Sequence, residues 1–227
     1  MLTKTNLYYN VNDLIPLLNN IKWDEKNRCQ LNSPIGNWLY DPYIMKDLWK
    51  NTGFEELLNM LSNTYPIGEA RLIKLQPGTC YRSHTDVDDR LHINIIGNDQ
   101  SYLIDLDTQT LYKTISDNFV YYMDASHKHV AANFGSFDRI QLVVRVRLIK
   151  NTNINFKLKK IKFVKVYDKF RYDFDNEISP IISHKIKQKE IGFFDFVNGE
   201  ILIECEQHTL NDIIDKLKLI NKDYVIL

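Results

Sequence analysis

The sequence predicts a mainly β protein in which eight short strands between residues 71 and 148 pack as a double-sheet jelly roll. Three observations carry this. Segments with strand-like composition follow one another closely: RLIKLQ, TCYRSH, RLHINII, SYLIDL, TLYKTI, FVYYMD, KHVAAN and RIQLVVRVRLI. Turn residues, such as Pro77-Gly78 and Gly97-Asn98, separate most of them. Helical spacing of apolar residues is confined to the flanks. The architecture expected is a double-stranded β-helix of cupin-like type, with N-terminal helices on the outside of one sheet and a small C-terminal α+β extension.

Taken in order, residues 10–22 read as a short helix. Leu14, Leu17, Leu18 and Ile21 recur at helical spacing, Asn12 or Asp13 offers a cap, and Pro16 is tolerated only in the first turn. The stretch NSPIGNWLYDPY is irregular, and its Trp38, Tyr40 and Tyr43 pack either on the outer face of the domain or along a substrate entrance. A second helix is expected from about Tyr43 to Leu61, interrupted at Gly53, with Phe54, Leu57, Leu58 and Leu61 as its apolar stripe. Beyond the strands, KLKKIKFVKVYDKFRYDF is basic and strand-like. IGFFDFVNGEILIE is expected to fold as a hairpin turning at Asn198-Gly199, and TLNDIIDKLKLI as a helix capped by Thr209. The division expected is residues 1–150 for the helices and β-helix, and 151–227 for the extension.

Lys+Arg and Asp+Glu both number 29, so the net charge is zero and a broad nucleic-acid surface is not expected. The Lys run from 157 to 165 reads as a solvated strand face. Cys29, Cys80 and Cys205 are far apart and form no CxxC pair, which argues against a thiolate zinc site and fits reduced thiols in the cytoplasm. No apolar stretch of membrane-spanning length and no signal-peptide pattern is found, so no membrane association is expected.

The chemistry concentrates in CYRSHTDVDDRLHINII. His84 and Asp86 are two apart, and in extended chain residues i and i+2 share a face, so one imidazole and one carboxylate can meet one ion. A second histidine must come from elsewhere, and SHKHVAANFG offers His127 and His129. Two histidines and one carboxylate leave open positions on Fe(II). Alternation within RLHINII and RIQLVVRVRLI sets Arg90, His92, Asn94, Arg139 and Gln141 opposite the apolar residues of their strands. A buried cation on such a face needs an anionic partner, and arginine clamps a carboxylate bidentately.

GEARLIKLQPG, SHTDVDDRLHINI and HVAANFGSFDRIQLVV together resemble the aspartyl/asparaginyl β-hydroxylase family of Fe(II)/2-oxoglutarate oxygenases, over residues 66 to 147. The resemblance implies iron ligation by His84 and by the distal His129, in preference to His127. It implies cosubstrate contacts from the RxH pair Arg90 and His92, and a 2-oxoglutarate carboxylate anchor at Arg139. The vertebrate hydroxylases that name the family lack the acidic ligand and use two histidines with water. With Asp86 in place, this chain also resembles the bacterial proline hydroxylases, which keep the full triad.

The activity so implied is a dioxygenase using Fe(II), 2-oxoglutarate and O2, hydroxylating an amino acid or small amino-acid derivative and releasing succinate and CO2. Two alternatives are a hydroxylase of an Asp, Asn or other residue within a protein, and a metal-binding cupin that is no oxygenase. The expected catalytic and metal residues are His84, Asp86 and His129, with Arg139, Arg90 and His92 contacting the cosubstrate.

Overall fold

The computed structural model describes residues 1–151, 159–162, 174–197 and 200–220. These fall into two compact units: Met1–Ser83 with Asp88–Leu148, and His84–Val87 with Ile149–Leu227.

The larger unit is mainly β and wholly antiparallel. Its strands are β1 (Leu2–Tyr8), β2 (Arg28–Gln30), β3 (Asn32–Pro34), β4 (Tyr43–Met45), β5 (Ile67–Leu75), β6 (Thr79–Cys80), β7 (Arg90–Ile96), β8 (Ser101–Asp105), β9 (Thr110–Lys113), β10 (Phe119–Met123), β11 (His129–Asn133) and β12 (Arg139–Val146). One sheet has six strands in the order β1-β10-β7-β12-β5-β2. A second has four, β6-β11-β8-β9, and β3 pairs with β4 alone. Gly97, just after β7, runs so close to the Thr114 carbonyl that any Cβ there would sit 2.0 Å from it.

β7 and β12 lie side by side at the centre of the large sheet, with Leu142 opposite Ile93 and Val144 opposite Leu91. Those four side chains are buried against Phe54, Leu57, Leu58 and Leu61 of helix α1 (Gly53–Ser62). Burying this stripe, together with Val11, Leu14, Leu31 and Trp49 in the same core, stabilises the N-terminal segment.

Two sequence expectations need correction here. The segment 10–22 is not an α-helix but two 3-10 pieces, Val11–Asp13 and Ile15–Asn20, with Pro16 in the first turn of the second. The helix expected from Tyr43 is α1 alone. Before it come β4 and a 3-10 turn, Asp47–Trp49, and Asn51 adopts φ 57, a left-handed conformation that interrupts any helix. Strand β1, which pairs with β10, was not anticipated.

In the second unit, β13 (Lys159–Lys162), β14 (Ile191–Val197) and β15 (Glu200–Cys205) form a sheet in the order β13-β15-β14. Val197 stands opposite Glu200, as a hairpin requires, while the expected turn at Asn198-Gly199 lies outside the described residues. Most of the basic strand-like segment 157–174 also lies outside them. Helices α2 (Ser179–Lys187) and α3 (Gln207–Ile220) complete the unit. α2 was not anticipated. α3 begins two residues before Thr209, which is fully buried within it and is not its cap. No described helix is long and apolar enough to cross a membrane.

Candidate metal and cosubstrate site

The face of β7 and β12 turned away from α1 is polar and yet buried. Arg90, His92 and Asn94 alternate along β7, and Arg139, Gln141 and Arg145 along β12. The register sets Gln141 opposite Asn94, and Arg145 opposite Arg90. A buried polar side chain is retained only with its bonding satisfied or with a ligand to satisfy it. Part of the face is satisfied internally. Arg139 Nη2 donates to Gln141 Oε1, Gln141 Nε2 donates to Asn94 Oδ1 at 2.7 Å, and Asn94 Nδ2 donates to the Ile115 carbonyl at 3.0 Å.

Arg139 is left only partly satisfied. It is 3% exposed, its Nε has no partner, and among the described residues no carboxylate pairs with it. Burial pulls its pKa down to about 10, opposed by Tyr81. Tyr81 follows β6, and its buried hydroxyl forms no well-shaped hydrogen bond. Burial raises that phenol, while the guanidiniums of Arg28, Arg139 and Arg71 act in the opposite sense. A buried guanidinium and phenol facing each other without an anion are costly unless a carboxylate joins them. Tyr81 is a residue to which the sequence reading gave no role.

His92 is close enough to Arg139 and His129 to feel both. Burial, then the charges of Arg139 and His129, pull its pKa down to about 3. Gln141 is near enough to oppose that shift, although neither ring nitrogen has a well-formed hydrogen bond. His92 is therefore a neutral imidazole at physiological pH.

His129 begins β11, opposite Asp105 of β8, and is almost fully buried. Its Nδ1 lies 2.7 Å from the His127 carbonyl. A carbonyl only accepts, so Nδ1 carries the hydrogen and the lone pair is on Nε2. His84 Nε2 lies 3.9 Å from Asp86 Oδ2. Ligand-capable atoms of His84, Asp86 and His129 all lie within 4.8 Å of one another. The regular strand expected over TCYRSH is only Thr79–Cys80, and beyond it His84 forms an isolated β-bridge while Asp86 sits on irregular chain.

Asp105, Asp107 and His127 also gather within 4.8 Å. Their atoms are occupied by turn bonding. Asp105 Oδ1 accepts from the Asp107 and Thr108 amides, its Oδ2 lies 2.9 Å from His127 Nδ1, and Asp107 Oδ2 accepts from the Lys128 amide. This turn fixes the chain that carries the His127 carbonyl, and so orients His129.

Arg90 has a different environment. Its Nη1 lies 2.6 Å from the Asp88 carboxylate, and both side chains are buried. Asp88 also receives Arg145 Nη1 at 2.8 and 3.0 Å, and Arg145 Nε reaches Glu69 at 2.8 Å. Arg71 Nη1 lies 3.3 Å from the same Glu69 oxygen. The Trp38 ring stacks on the Arg145 guanidinium at 4.6 Å, and Tyr43 Oη donates to the Trp38 carbonyl at 3.0 Å. The aromatic loop thus covers the Arg145 end of the polar face. Arg145 is part of this network, whereas Arg147 bonds the carbonyls of Ile67 and Tyr40.

Residues 51–148, less than half of the chain, match the family described as Aspartyl/Asparaginyl beta-hydroxylase. No curated protein matches the sequence. Among solved structures, the chain is similar to a truncated viral collagen prolyl hydroxylase from Paramecium Bursaria Chlorella virus-1, with TM-score 0.46 and 11% identity over 66% of this chain and 90% of that one. A 2OG-Fe(II) oxygenase-family oxidoreductase from Burkholderia pseudomallei gives 0.46 and 10% over 60% and 76%. A Pseudomonas putida prolyl-4-hydroxylase gives 0.40 and 10% over 64% and 92%. Likeness at this level is weak, and the reading of the site rests on its residues.

Proposed function

We propose that this protein is an Fe(II)/2-oxoglutarate-dependent dioxygenase whose two larger sheets are the halves of a double-stranded β-helix. In this reading residues 1–150 are the oxygenase domain and 151–227 an appended unit. The observation that carries it is a buried Arg139 with no carboxylate partner on the same polar face as His92, whose neighbour His129 belongs to a His/Asp/His cluster.

The residues fit both groups. His84, Asp86 and His129 are the donor types of a facial triad that leaves open positions on Fe(II). His129 presents Nε2 because Nδ1 is bound to a carbonyl, a common outer arrangement for a metal-bound histidine. Arg139 and Tyr81 would receive the distal carboxylate of 2-oxoglutarate, the guanidinium bidentately. Bound there, Fe(II), 2-oxoglutarate and O2 supply oxidative decarboxylation to succinate and CO2 coupled to hydroxylation of a substrate C–H bond.

The chain's own contribution is to bind and orient. The Asn94–Gln141–Arg139 hydrogen-bond chain fixes the direction of the guanidinium. Neutral His92 offers a hydrogen bond beside the cosubstrate without adding a second cation. Arg90 is held by Asp88 and serves the cosubstrate by keeping that end of the face rigid.

The substrate proposed is an amino acid or small amino-acid derivative, because Glu69, Arg71, Asp88 and Arg145 set both signs of charge beside the Trp38 loop. A residue within a protein is the second reading. It is favoured by Ile35, Ile44 and Leu48, large apolar side chains that stand exposed around that loop. Anaerobic calorimetry tests the assignment. One Fe(II) per chain is expected, with 2-oxoglutarate binding tightened by the metal. A metal-binding cupin of another kind would bind the ion without that coupling.

A further inference from the structure

Strand β2 lies at the edge of the large sheet and precedes the segment that matches the oxygenase family. It places Arg28 directly opposite Ile73 of β5, which stands opposite Gln141 of β12. Directly paired residues share a face. Arg28 therefore belongs to the same polar face as Gln141, the residue that accepts a hydrogen bond from Arg139. Cys29, pointing the other way, packs against the apolar core. Nothing in the sequence reading gave Arg28 a role.

Three buried polar atoms that form no well-shaped hydrogen bond occur here together: Arg28 Nε, Tyr81 Oη and Arg139 Nε, with the Arg28 guanidinium close enough to Tyr81 for a looser contact. The Arg28 guanidinium lies 5.9 Å from the centre of the Tyr81 ring, and Tyr81 is under the electrostatic influence of both arginines. Among the described residues no carboxylate pairs with Arg28 or with Arg139. Two guanidiniums beside one phenol, with Arg28 Nε, Arg139 Nε and the phenol hydrogen not engaged in well-shaped hydrogen bonds, leave a site for an anion with several acceptor positions.

We propose that Arg28 is a second cationic anchor of the pocket formed by Tyr81 and Arg139, so that one carboxylate terminus is received by two guanidiniums and a phenol. A carboxylate has about four acceptor positions. The Arg139 fork takes two, leaving one each for Tyr81 Oη and Arg28. The inference rests on the oxygenase reading for the identity of the anion, a dicarboxylate cosubstrate, but its geometry concerns this chain alone. Arg28 is a specificity-determining residue in this account. It makes the pocket favour a keto acid with a distal carboxylate over one ending in a methyl group.

The test separates the pocket from the metal. Glutarate, a dicarboxylate without the keto group, is titrated calorimetrically into full-length protein in the presence of chelator. Wild type, Arg28→Gln and Arg28→Lys are compared. Arg28→Gln is expected to weaken glutarate by about tenfold or more, a loss of about 1.4 kcal/mol, with Arg28→Lys between the two. Arg28 also repels Arg71, so unliganded Arg28→Gln is expected to melt no lower than wild type while losing the stabilisation that glutarate confers. A residue of merely structural importance would not combine these two results. Equal glutarate affinity in wild type and Arg28→Gln overturns the inference, as does a wild type that does not bind glutarate. If 2-oxoglutarate is tightened by Fe(II) in both proteins alike and glutarate does not distinguish them, only the Arg28 inference fails. If glutarate binding depends on Arg28 but Fe(II) brings no tightening of 2-oxoglutarate, the oxygenase reading fails and the pocket stands.

Discussion

His129 donates its Nδ1 hydrogen to the backbone oxygen of His127 at 2.7 Å, two residues earlier in the chain. The two histidines are thereby given different tasks. His127 is held by Asp105 in the turn that supports the loop, and His129, with Nδ1 engaged by a carbonyl, has Nε2 as the nitrogen that could bind a metal. His129→Ala is expected to abolish most Fe(II) binding. His127→Ala disturbs only the support and is expected to cost about tenfold in affinity, the low end for an outer-sphere partner. Anaerobic Fe(II) titration of both variants checks this, and the reverse order would exchange the two assignments.

Arg139→Ala removes the guanidinium but none of the metal donors. Loss of a charge-assisted contact to a carboxylate corresponds to about 1.5–3 kcal/mol, so 2-oxoglutarate binding is expected to weaken by one to two orders of magnitude with iron binding nearly intact. Arg90→Ala is expected to behave differently, because Arg90 is engaged by Asp88. Its cost falls on stability. A loss of 2-oxoglutarate affinity in Arg90→Ala equal to that in Arg139→Ala would place Arg90 on the cosubstrate instead.

Asp88 is the shared partner of Arg90 and Arg145, and it is almost fully buried. Asp88→Asn removes the negative charge that Arg90 and Arg145 share in a poorly hydrated place, while Arg145 keeps Glu69. Breaking a buried pair from one side costs about 3–5 kcal/mol. Urea unfolding should read a loss of this size. A change within experimental scatter would mean that water or Glu69 compensates Arg145 and Arg90 fully.

His92 sets a pH dependence of the metal-free protein. Its folded pKa of about 3 lies below the usual 6.5. Below pH 6.5 the unfolded chain takes up a proton that folded His92 refuses, so stability falls as pH is lowered from 6.5 toward 3. The slope has a limit of about 1.4 kcal/mol per pH unit for one proton. Comparing urea unfolding of wild type and His92→Leu at stepped pH isolates the effect. The variant should show the shallower loss, and parallel curves would contradict a neutral, buried His92.

The centre of the site was legible because β7 and most of β12 alternate, Val143 opposite His92 being the exception. Period two separates Leu91, Ile93, Leu142 and Val144 from Arg90, His92, Arg139 and Gln141, and the structure keeps that separation. The flanks were less legible. Leu14, Leu17, Leu18 and Ile21 repeat as in an α-helix, yet local chain direction there is set by Pro16 and by docking, and 3-10 turns suffice to bury part of the set. β1 is an edge strand with polar residues facing solvent, so its alternation has no strongly apolar side. Helix α2 was hidden because the two adjacent isoleucines of SPIISHKIK carry no distinct helical stripe. Tyr81 and Arg28 could not be recognised from spacing at all. Their meeting with Arg139 depends on the pairing of β2 with β5 and of β5 with β12, which brings together residues far apart in the chain.

The protein is proposed to couple oxidation of 2-oxoglutarate to oxidation of a substrate. The most direct test is succinate formation by Fe(II)-loaded protein supplied with 2-oxoglutarate and O2. Free amino acids, short peptides and size-fractionated cell extract are offered in turn, and the hydroxylated product is identified by mass. The expected result is succinate and a product heavier by one oxygen atom, both dependent on iron and O2 and both lost in Asp86→Ala, with a free amino acid or another small molecule sufficient as substrate. Turnover confined to the macromolecular fraction would move the substrate to a protein residue. No succinate with any fraction, at saturating iron and oxygen, would contradict the account.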